Sequence, residues 1–183
     1  ILRMASKLLF SKQKVSIILN RLCHQLMERH GDFSNTVLVG LQPRGTLLLE
    51  RLLELLKKEG FGVIQSGILD TTFFRDDFRR SEKPLNAKTT EMNVMVEGKE
   101  VVLIDDVLFT GRSIRSALTA IDSYGRPKSI ELLVLVDRRF SRHLPIQPDY
   151  LGAQVDALQG DKVKVVWSKE QEESIIYLEK HSE

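Results

Sequence analysis

Two adjacent aspartates, Asp105 and Asp106, directly follow a short apolar run and precede the sequence Thr-Gly-Arg-Ser at residues 110–113. Carboxylates repel phosphate, but they accept hydrogen bonds from sugar hydroxyls and are ligands that Mg²⁺ prefers. The small and hydroxylated residues at 110–113 let a phosphate approach backbone N–H groups closely, and Thr110 and Ser113 can donate two further hydrogen bonds. The segment therefore predicts a site for a ligand that carries both a phosphate and a polyol, as a phosphorylated ribose does.

The flanking elements determine where this segment lies. Residues 101–104 form a compact apolar strand, and an apolar stripe over residues 114–124 predicts a helix that ends at Gly125. The loop between them lies where parallel α/β sheets bind anions, and no Walker sequence or G-x-G-x-x-G fingerprint occurs. The alternative is that Thr110 or Ser113 only caps the helix and the aspartates are solvated. The acid pair combined with Thr-Gly-x-Ser favours a ligand site.

Helices and strands alternate along the rest of the chain. Apolar residues at helical spacing predict helices at residues 12–29, 46–59 and 172–180. Short apolar runs predict strands at residues 36–41, 62–74, 91–96, 129–136 and 163–167. The charged stretch 75–88, which Pro84 interrupts, is interpreted as a mobile excursion. This alternation is typical of an α/β fold with a mostly parallel sheet.

Composition limits the class of protein. The chain has 183 residues, 42% hydrophobic and 28% charged, which is typical of one globular domain, here residues 4–183. A net charge of +2 is too small to indicate a general nucleic-acid binder. Cys23 is the single cysteine, so no internal disulfide can form, which fits a reducing compartment. No apolar run is long enough to span a membrane and no secretory leader is present, so we expect a cytoplasmic protein.

Residues 101–113, VVLIDDVLFTGRS, resemble the phosphoribosyl-diphosphate motif of type I phosphoribosyltransferases. The flanking segments are similar to the pyrimidine operon attenuator proteins that also act as uracil phosphoribosyltransferases. These segments are residues 38–45, 74–77, 134–138, 144–146 and 149–152. The resemblance covers most of the chain. It implies a type I phosphoribosyltransferase core, in which helices flank a mostly parallel sheet, with a small hood and a flexible loop.

The resemblance assigns roles to two loops. Asp105 and Asp106 would hold the ribose and Mg²⁺. Arg44 would stabilise the diphosphate, so these three are the catalytic candidates. The other substrate contacts implied are Gln42, Pro43 and Gly45 in the diphosphate cradle, and Val107, Leu108, Phe109, Thr110, Gly111, Arg112 and Ser113 in the phosphate segment.

Three further features of the site follow from the same resemblance. Pro43 stands where the family often has a threonine, and proline removes one N–H donor from the cradle. The Gln42–Pro43 bond is a candidate for a cis peptide. Arg75, at the start of the flexible loop, could reach the diphosphate. Asp137 and Arg138 would lie beside the nucleobase, with a surface ion pair as the alternative.

The reaction that the resemblance implies joins uracil to phosphoribosyl diphosphate and yields uridine monophosphate and diphosphate. Mg²⁺ and Arg44 would stabilise the leaving group of an oxocarbenium-like centre. Phe109 stands where purine-salvaging relatives place a proton-donating aspartate, which favours uracil over purines. A purine salvage phosphoribosyltransferase and an RNA-binding nucleotide sensor without relevant catalysis remain as alternatives.

The resemblance also implies a homodimer or larger homo-oligomer with a leader-RNA face that includes His24. Asn20 and Gln147 replace a threonine and an arginine that regulators of this family often carry there. Each lost cation weakens binding to nucleic acid. Three arginines on the same side, Arg21, Arg29 and Arg142, could supply charge. The sequence therefore predicts retained catalysis with weakened or absent RNA regulation.

Overall fold

A computed structural model describes residues 6–71, 91–158, 160–168 and 174–180. Its elements, in chain order, are β1 (Ser6–Phe10), α1 (Lys12–His30), β2 (Thr36–Leu41), α2 (Gly45–Lys58), β3 (Ser66–Leu69), β4 (Glu100–Leu108), α3 (Arg112–Ile121), β5 (Ser129–Arg139), β6 (Tyr150–Asp156), β7 (Lys162–Trp167) and β8 (Ser174–Glu179). A single 3₁₀ turn, Asp122–Tyr124, extends α3.

Five of these strands form a parallel sheet in the order β3-β2-β4-β5-β6. Alternate residues of each strand face opposite layers. Val102 and Ile104 of β4 pack with α1 and α2, whereas Val101 and Leu103 pack with α3. Because both faces are covered, the central strands are apolar throughout, as the sequence indicated.

The other three strands form a small antiparallel sheet in the order β1-β8-β7. This sheet is the hood. Its central strand was predicted as a helix, and that prediction is wrong. Ser174, Ile176 and Leu178 are buried while the residues between them are half-buried, which is a period of two. Strand β1, from the other end of the chain, supplies a pairing partner that a reading of this segment alone does not include.

Two other predictions of strands need correction. Residues 91–96 are not a strand: Glu91 makes only an isolated antiparallel bridge with Ile68. Of the predicted strand 62–74, the structure describes residues 62–71. Within them only β3 is a strand. The first helix, strand β2 and strands β4, β5 and β7 confirm their predictions to within a few residues.

Strands β1 and β6 were not predicted. Strand β6 contains Gly152, a residue type that is disfavoured in strands. Gly152 lies so close to the neighbouring strand that a Cβ would be 2.2 Å from the Leu135 oxygen. Glycine is therefore required there by close approach of backbone to backbone. The predicted mobile stretch 75–88 and the family motif at 74–77 lie outside the described residues. No helix in the described ranges has the length and hydropathy needed to cross a membrane.

Candidate active site

The carboxyl ends of β2 and β4 lie side by side, because the two strands pair in parallel up to Gly40 and Ile104. Helix α2 follows β2 after the short loop 42–44, and its first residue, Gly45, packs against β4. A Cβ on Gly45 would be 2.2 Å from the Ile104 oxygen and 3.1 Å from the Asp105 Cα. This close approach brings Arg44 beside the acid pair.

The two aspartates lie within strand β4, near its carboxyl end, rather than after it, since the strand continues to Leu108. Asp106 is buried and Asp105 is half-buried. The Arg44 Nε lies 2.8 Å from the Asp106 Oδ2, and the Asp106 N–H donates to the Asp105 Oδ1 at 2.9 Å. Arg44 also donates to the Val165 carbonyl of β7, which ties the hood to the site.

Burial raises the pKa of both carboxyl groups. The pKa of Asp105 is raised well above its usual range by loss of water and then by the negative charge of Asp106. The pKa of Asp106 is also raised by burial, while Arg44 acts in the opposite direction. The Asp106 Oδ2 makes the ion pair with Arg44 but no aligned hydrogen bond in the described structure. A cation or a hydroxyl donor would relieve this unfavourable desolvation.

The phosphate segment lies at the start of α3. Gly111, with φ of 91°, adopts the left-handed conformation and has no side chain to cap the helix, and the first turn contains no acidic residue. The Arg112 N–H donates to the Thr110 hydroxyl at 3.4 Å, which leaves the other N–H groups of this turn for a ligand. A cavity of about 330 Å³ opens there. It is lined by Asp105, Val107, Leu108, Phe109, Thr110, Gly111, Arg112, Ser113 and Ile114. The sequence predicted all but one of these residues as substrate contacts. An uncapped helix start in a cavity suits an anion.

The cradle after β2 has the predicted geometry at its proline, since the Gln42–Pro43 bond is cis. The Gln42 N–H donates to the Leu69 carbonyl of β3 at 2.9 Å, and the Thr46 hydroxyl donates to the Pro43 carbonyl at 3.0 Å. The cradle is thus held by β3 on one side and by the first turn of α2 on the other.

Asp137 and Arg138 do not form the surface ion pair that was the alternative. Both are buried at the carboxyl end of β5. Asp137 pairs instead with Arg142, and the Arg138 guanidinium lies 4.1 Å from the centre of the Phe109 ring. Burial lowers the pKa of Arg138. Arg138 therefore contacts Phe109 directly, and Asp137 is linked to Phe109 through Arg142.

Residues on the remaining candidate surfaces are more ordinary. His24 and Asn20 are exposed on α1. The three arginines expected near them are engaged within the chain. Arg21 donates to the Leu151 and Gly152 carbonyls, Arg29 to the Glu131 carboxylate, and Arg142 to Phe109 and Asp137.

Sequence reasoning missed the contacts that distant residues make with the site. Arg142 is 33 residues from Phe109, and Val165 is 121 residues from Arg44. Nothing in the spacing of these residues indicates the contact. Arg75 lies outside the described residues. In the described part of the chain no group of three or more His, Cys, Asp or Glu side chains is placed to hold a metal ion, so a metal at this site would meet the two adjacent aspartates.

A parallel sheet with an acid pair, an arginine and an uncapped helix start at its carboxyl edge is the arrangement of a phosphoribosyltransferase. The family described as the phosphoribosyl transferase domain matches residues 7–168, and the chain belongs to this family.

Curated relatives confirm the subfamily that the sequence motifs predicted, the pyrimidine operon attenuator and uracil phosphoribosyltransferase family. The chain is 40% identical over 172 residues to Bifunctional protein PyrR of Pelotomaculum thermopropionicum, covering 93% of this chain and 94% of the relative. It is 42% identical over 160 residues to Bifunctional protein PyrR of Gloeothece citriformis, covering 86% and 88%.

Solved structures show the same fold at lower identity. A hypoxanthine phosphoribosyltransferase of Trypanosoma cruzi has a TM-score of 0.70 at 14% identity and covers 96% of this chain and 93% of its own. A hypoxanthine phosphoribosyltransferase of Staphylococcus aureus has a TM-score of 0.62 at 20% identity, covering 82% and 78%. At these identities the likeness concerns the fold alone.

Proposed function

We propose that this chain is a uracil phosphoribosyltransferase that forms uridine monophosphate and diphosphate from uracil and phosphoribosyl diphosphate. The observation that carries the proposal is the acid pair of β4, in which the buried Asp106 pairs with Arg44 and the half-buried Asp105 lines the cavity at the start of α3. This order of groups suits a ligand with a diphosphate, a ribose and a 5-phosphate.

The roles follow from the chemistry of each group. Asp105 and Asp106 accept hydrogen bonds from the ribose hydroxyls, which compensates their desolvation. The N–H groups and hydroxyls of residues 110–113 hold the 5-phosphate. Arg44, from the cradle, neutralises charge on the departing diphosphate. Its ion pair with Asp106 fixes the cation where that charge develops.

The acid pair also suits Mg²⁺, because the Asp106 Oδ2 has no aligned hydrogen bond in the described structure and desolvation disfavours the charged form of both carboxyl groups. Two adjacent carboxylates hold fewer positions than the six oxygens of an octahedral ion, so substrate oxygens and water would complete the shell. Mg²⁺ would supply further stabilisation of the leaving diphosphate. Asp105 and Asp106 are the residues that would hold it.

Uracil is the base we propose, since the loop residue before Thr110-Gly111 is Phe109. Its ring cannot exchange a proton with a purine nitrogen, whereas uracil can react as its ring anion. The Arg138 guanidinium covers one face of this ring at 4.1 Å, which holds the ring in place, and its other face could lie against the base.

We expect nucleotide formation from uracil and no comparable formation from hypoxanthine or guanine when each base is supplied with phosphoribosyl diphosphate and Mg²⁺. The measurement is release of diphosphate together with identification of the nucleotide. Turnover with hypoxanthine equal to that with uracil would favour the purine salvage alternative. Absence of turnover with every base would leave only a nucleotide sensor.

RNA regulation is the second candidate function, favoured by relatives named as bifunctional. We predict that it is weak here, because Arg21 and Arg29 donate to partners within the chain and the exposed residue at 147 is an uncharged glutamine. Filter binding of a leader transcript at physiological salt should show little uridine-monophosphate-stimulated affinity. Tight, sequence-specific binding that His24→Ala weakens without change in turnover would contradict this prediction.

A further inference from the structure

The segment that follows β5 is fastened to the phosphate segment at several points. The Arg142 Nη1 donates to the Phe109 carbonyl and its Nη2 to the Asp137 carboxylate. The His143 N–H donates to the Thr110 carbonyl at 3.0 Å. Leu144 and Ile146 lie close to Gly111, since a Cβ there would be 3.5 Å and 3.3 Å from them. These contacts therefore join the loop that follows β4 to the loop that follows β5.

Arg142 is the charged member of this connection and is poorly exposed. Its side chain is 22% exposed and that of Asp137 is 8% exposed. A guanidinium can donate to two acceptors at once through its planar fork, and hydrogen bonds that involve an ionised group are stronger than neutral ones. Removing the guanidinium would leave the Asp137 carboxylate buried without its cation, so the contact is more than a surface ion pair.

Phe109 is held by one residue of β5 and by one residue of the segment that follows β5. Arg142 binds its carbonyl, and Arg138 covers its ring at 4.1 Å. Phe109 lies between the acid pair of β4 and the start of α3. Its position therefore sets the separation between the groups that would hold the ribose and those that would hold the 5-phosphate.

We propose that Arg142 is a positioning residue: it latches residues 109–111 of the phosphate segment to the carboxyl end of β5. It thereby keeps the groups that would hold the 5-phosphate at a fixed distance from those that would lie beside the base. This latch rests on the proposed function and assigns Arg142 to substrate positioning rather than to an RNA-binding surface. Its loss lets the phosphate segment move, so binding of phosphoribosyl diphosphate suffers more than binding of the base.

The test compares R142A with a matched control, R139A. Arg139 is the last residue of β5 and also pairs with a carboxylate, Asp156, at 2.6 and 2.8 Å, but this ion pair is exposed and joins β5 to β6. We expect R142A to lower kcat/KM for phosphoribosyl diphosphate by roughly tenfold or more, with a larger rise in its KM than in the KM for uracil. R139A should match the unmodified protein.

Two further arms separate positioning from folding. Millimolar guanidinium should restore part of the activity of R142A, and R142K should be intermediate, because an ammonium group lacks the planar fork. Thermal unfolding of R142A and R139A shows how far each variant is folded. An R142A variant that loses kcat in proportion to its unfolded fraction, with its KM unchanged and no guanidinium rescue, would overturn the latch.

Hydrogen exchange gives a readout that does not depend on turnover. The amide of His143 donates to the Thr110 carbonyl, so its exchange should accelerate in R142A and not in R139A. Unchanged exchange at His143 would refute the latch, as would a variant that loses only RNA binding. If the unmodified protein turned over no base, the proposed function would fail, and the exchange result would still decide whether Arg142 holds the loop.

Discussion

Replacing Asp105 and Asp106 together with asparagine is expected to lower turnover by roughly a thousandfold or more while the fold remains intact. Asparagine keeps the size of each side chain but removes the negative charge that ribose hydroxyls and Mg²⁺ would meet. The Arg44 guanidinium would then also lose its ionic partner, which lies 2.8 Å away. The measurement is steady-state formation of uridine monophosphate with saturating uracil.

The same variant should unfold at an equal or higher temperature near neutral pH. Burial raises the pKa of both carboxyl groups, so the folded protein binds protons that the unfolded chain has released. This cost to stability is fully present above the folded-state pKa and is relieved as the pH falls through it. The double variant lacks that component, and its melting temperature should exceed that of the unmodified protein most clearly on the alkaline side.

Asp122→Asn provides the matched control, since Asp122 is exposed at the end of α3 and lies outside the candidate site. Both its turnover and its stability should stay close to those of the unmodified protein. Full activity in the double variant would remove the assignment of the acid pair. Loss of activity that accompanies loss of the folded state would instead indicate a structural role.

Gly45→Ala is expected to lower the free energy of unfolding by about 3 kcal/mol, at the upper end of the cost of overpacking. The new methyl group would meet the Ile104 carbonyl oxygen at 2.2 Å, and neither atom belongs to a flexible side chain. Helix α2 must therefore shift away from β4. That shift would move Arg44 from the acid pair and weaken binding of phosphoribosyl diphosphate. Denaturant unfolding and calorimetric titration measure the two effects.

Gly62→Ala separates this contact from the general effect of replacing glycine. A Cβ at Gly62 meets nothing within 4 Å, and its backbone is not in the left-handed region. Alanine should be neutral or slightly stabilising there, because it restricts the unfolded chain. If Gly45→Ala were as stable as Gly62→Ala and bound substrate normally, the close packing of α2 on β4 would not determine the position of Arg44.

The local pattern of residues was sufficient to predict the chemical centre. An apolar run, two acids, Thr-Gly-x-Ser and an apolar helical stripe are contiguous in the sequence, and they become β4, the phosphate segment and α3. The helical stripe of α1 and the buried strand β2 were equally clear. These features depend on interactions between residues near one another in the chain, so composition and periodicity carry them.

The sequence by itself thus predicted the mostly parallel sheet, most of its central strands and helices, and the candidate residues of the site. Only the tertiary structure decided the hood, in which β8 is a strand because β1 and β7 pair with it, and the burial that raises the pKa of the acid pair. It also decided that Arg142 points inward to Phe109 and Asp137. Pairing of distant strands, desolvation and the direction of a long side chain all depend on neighbours remote in sequence, and periodicity within one segment contains no information about them.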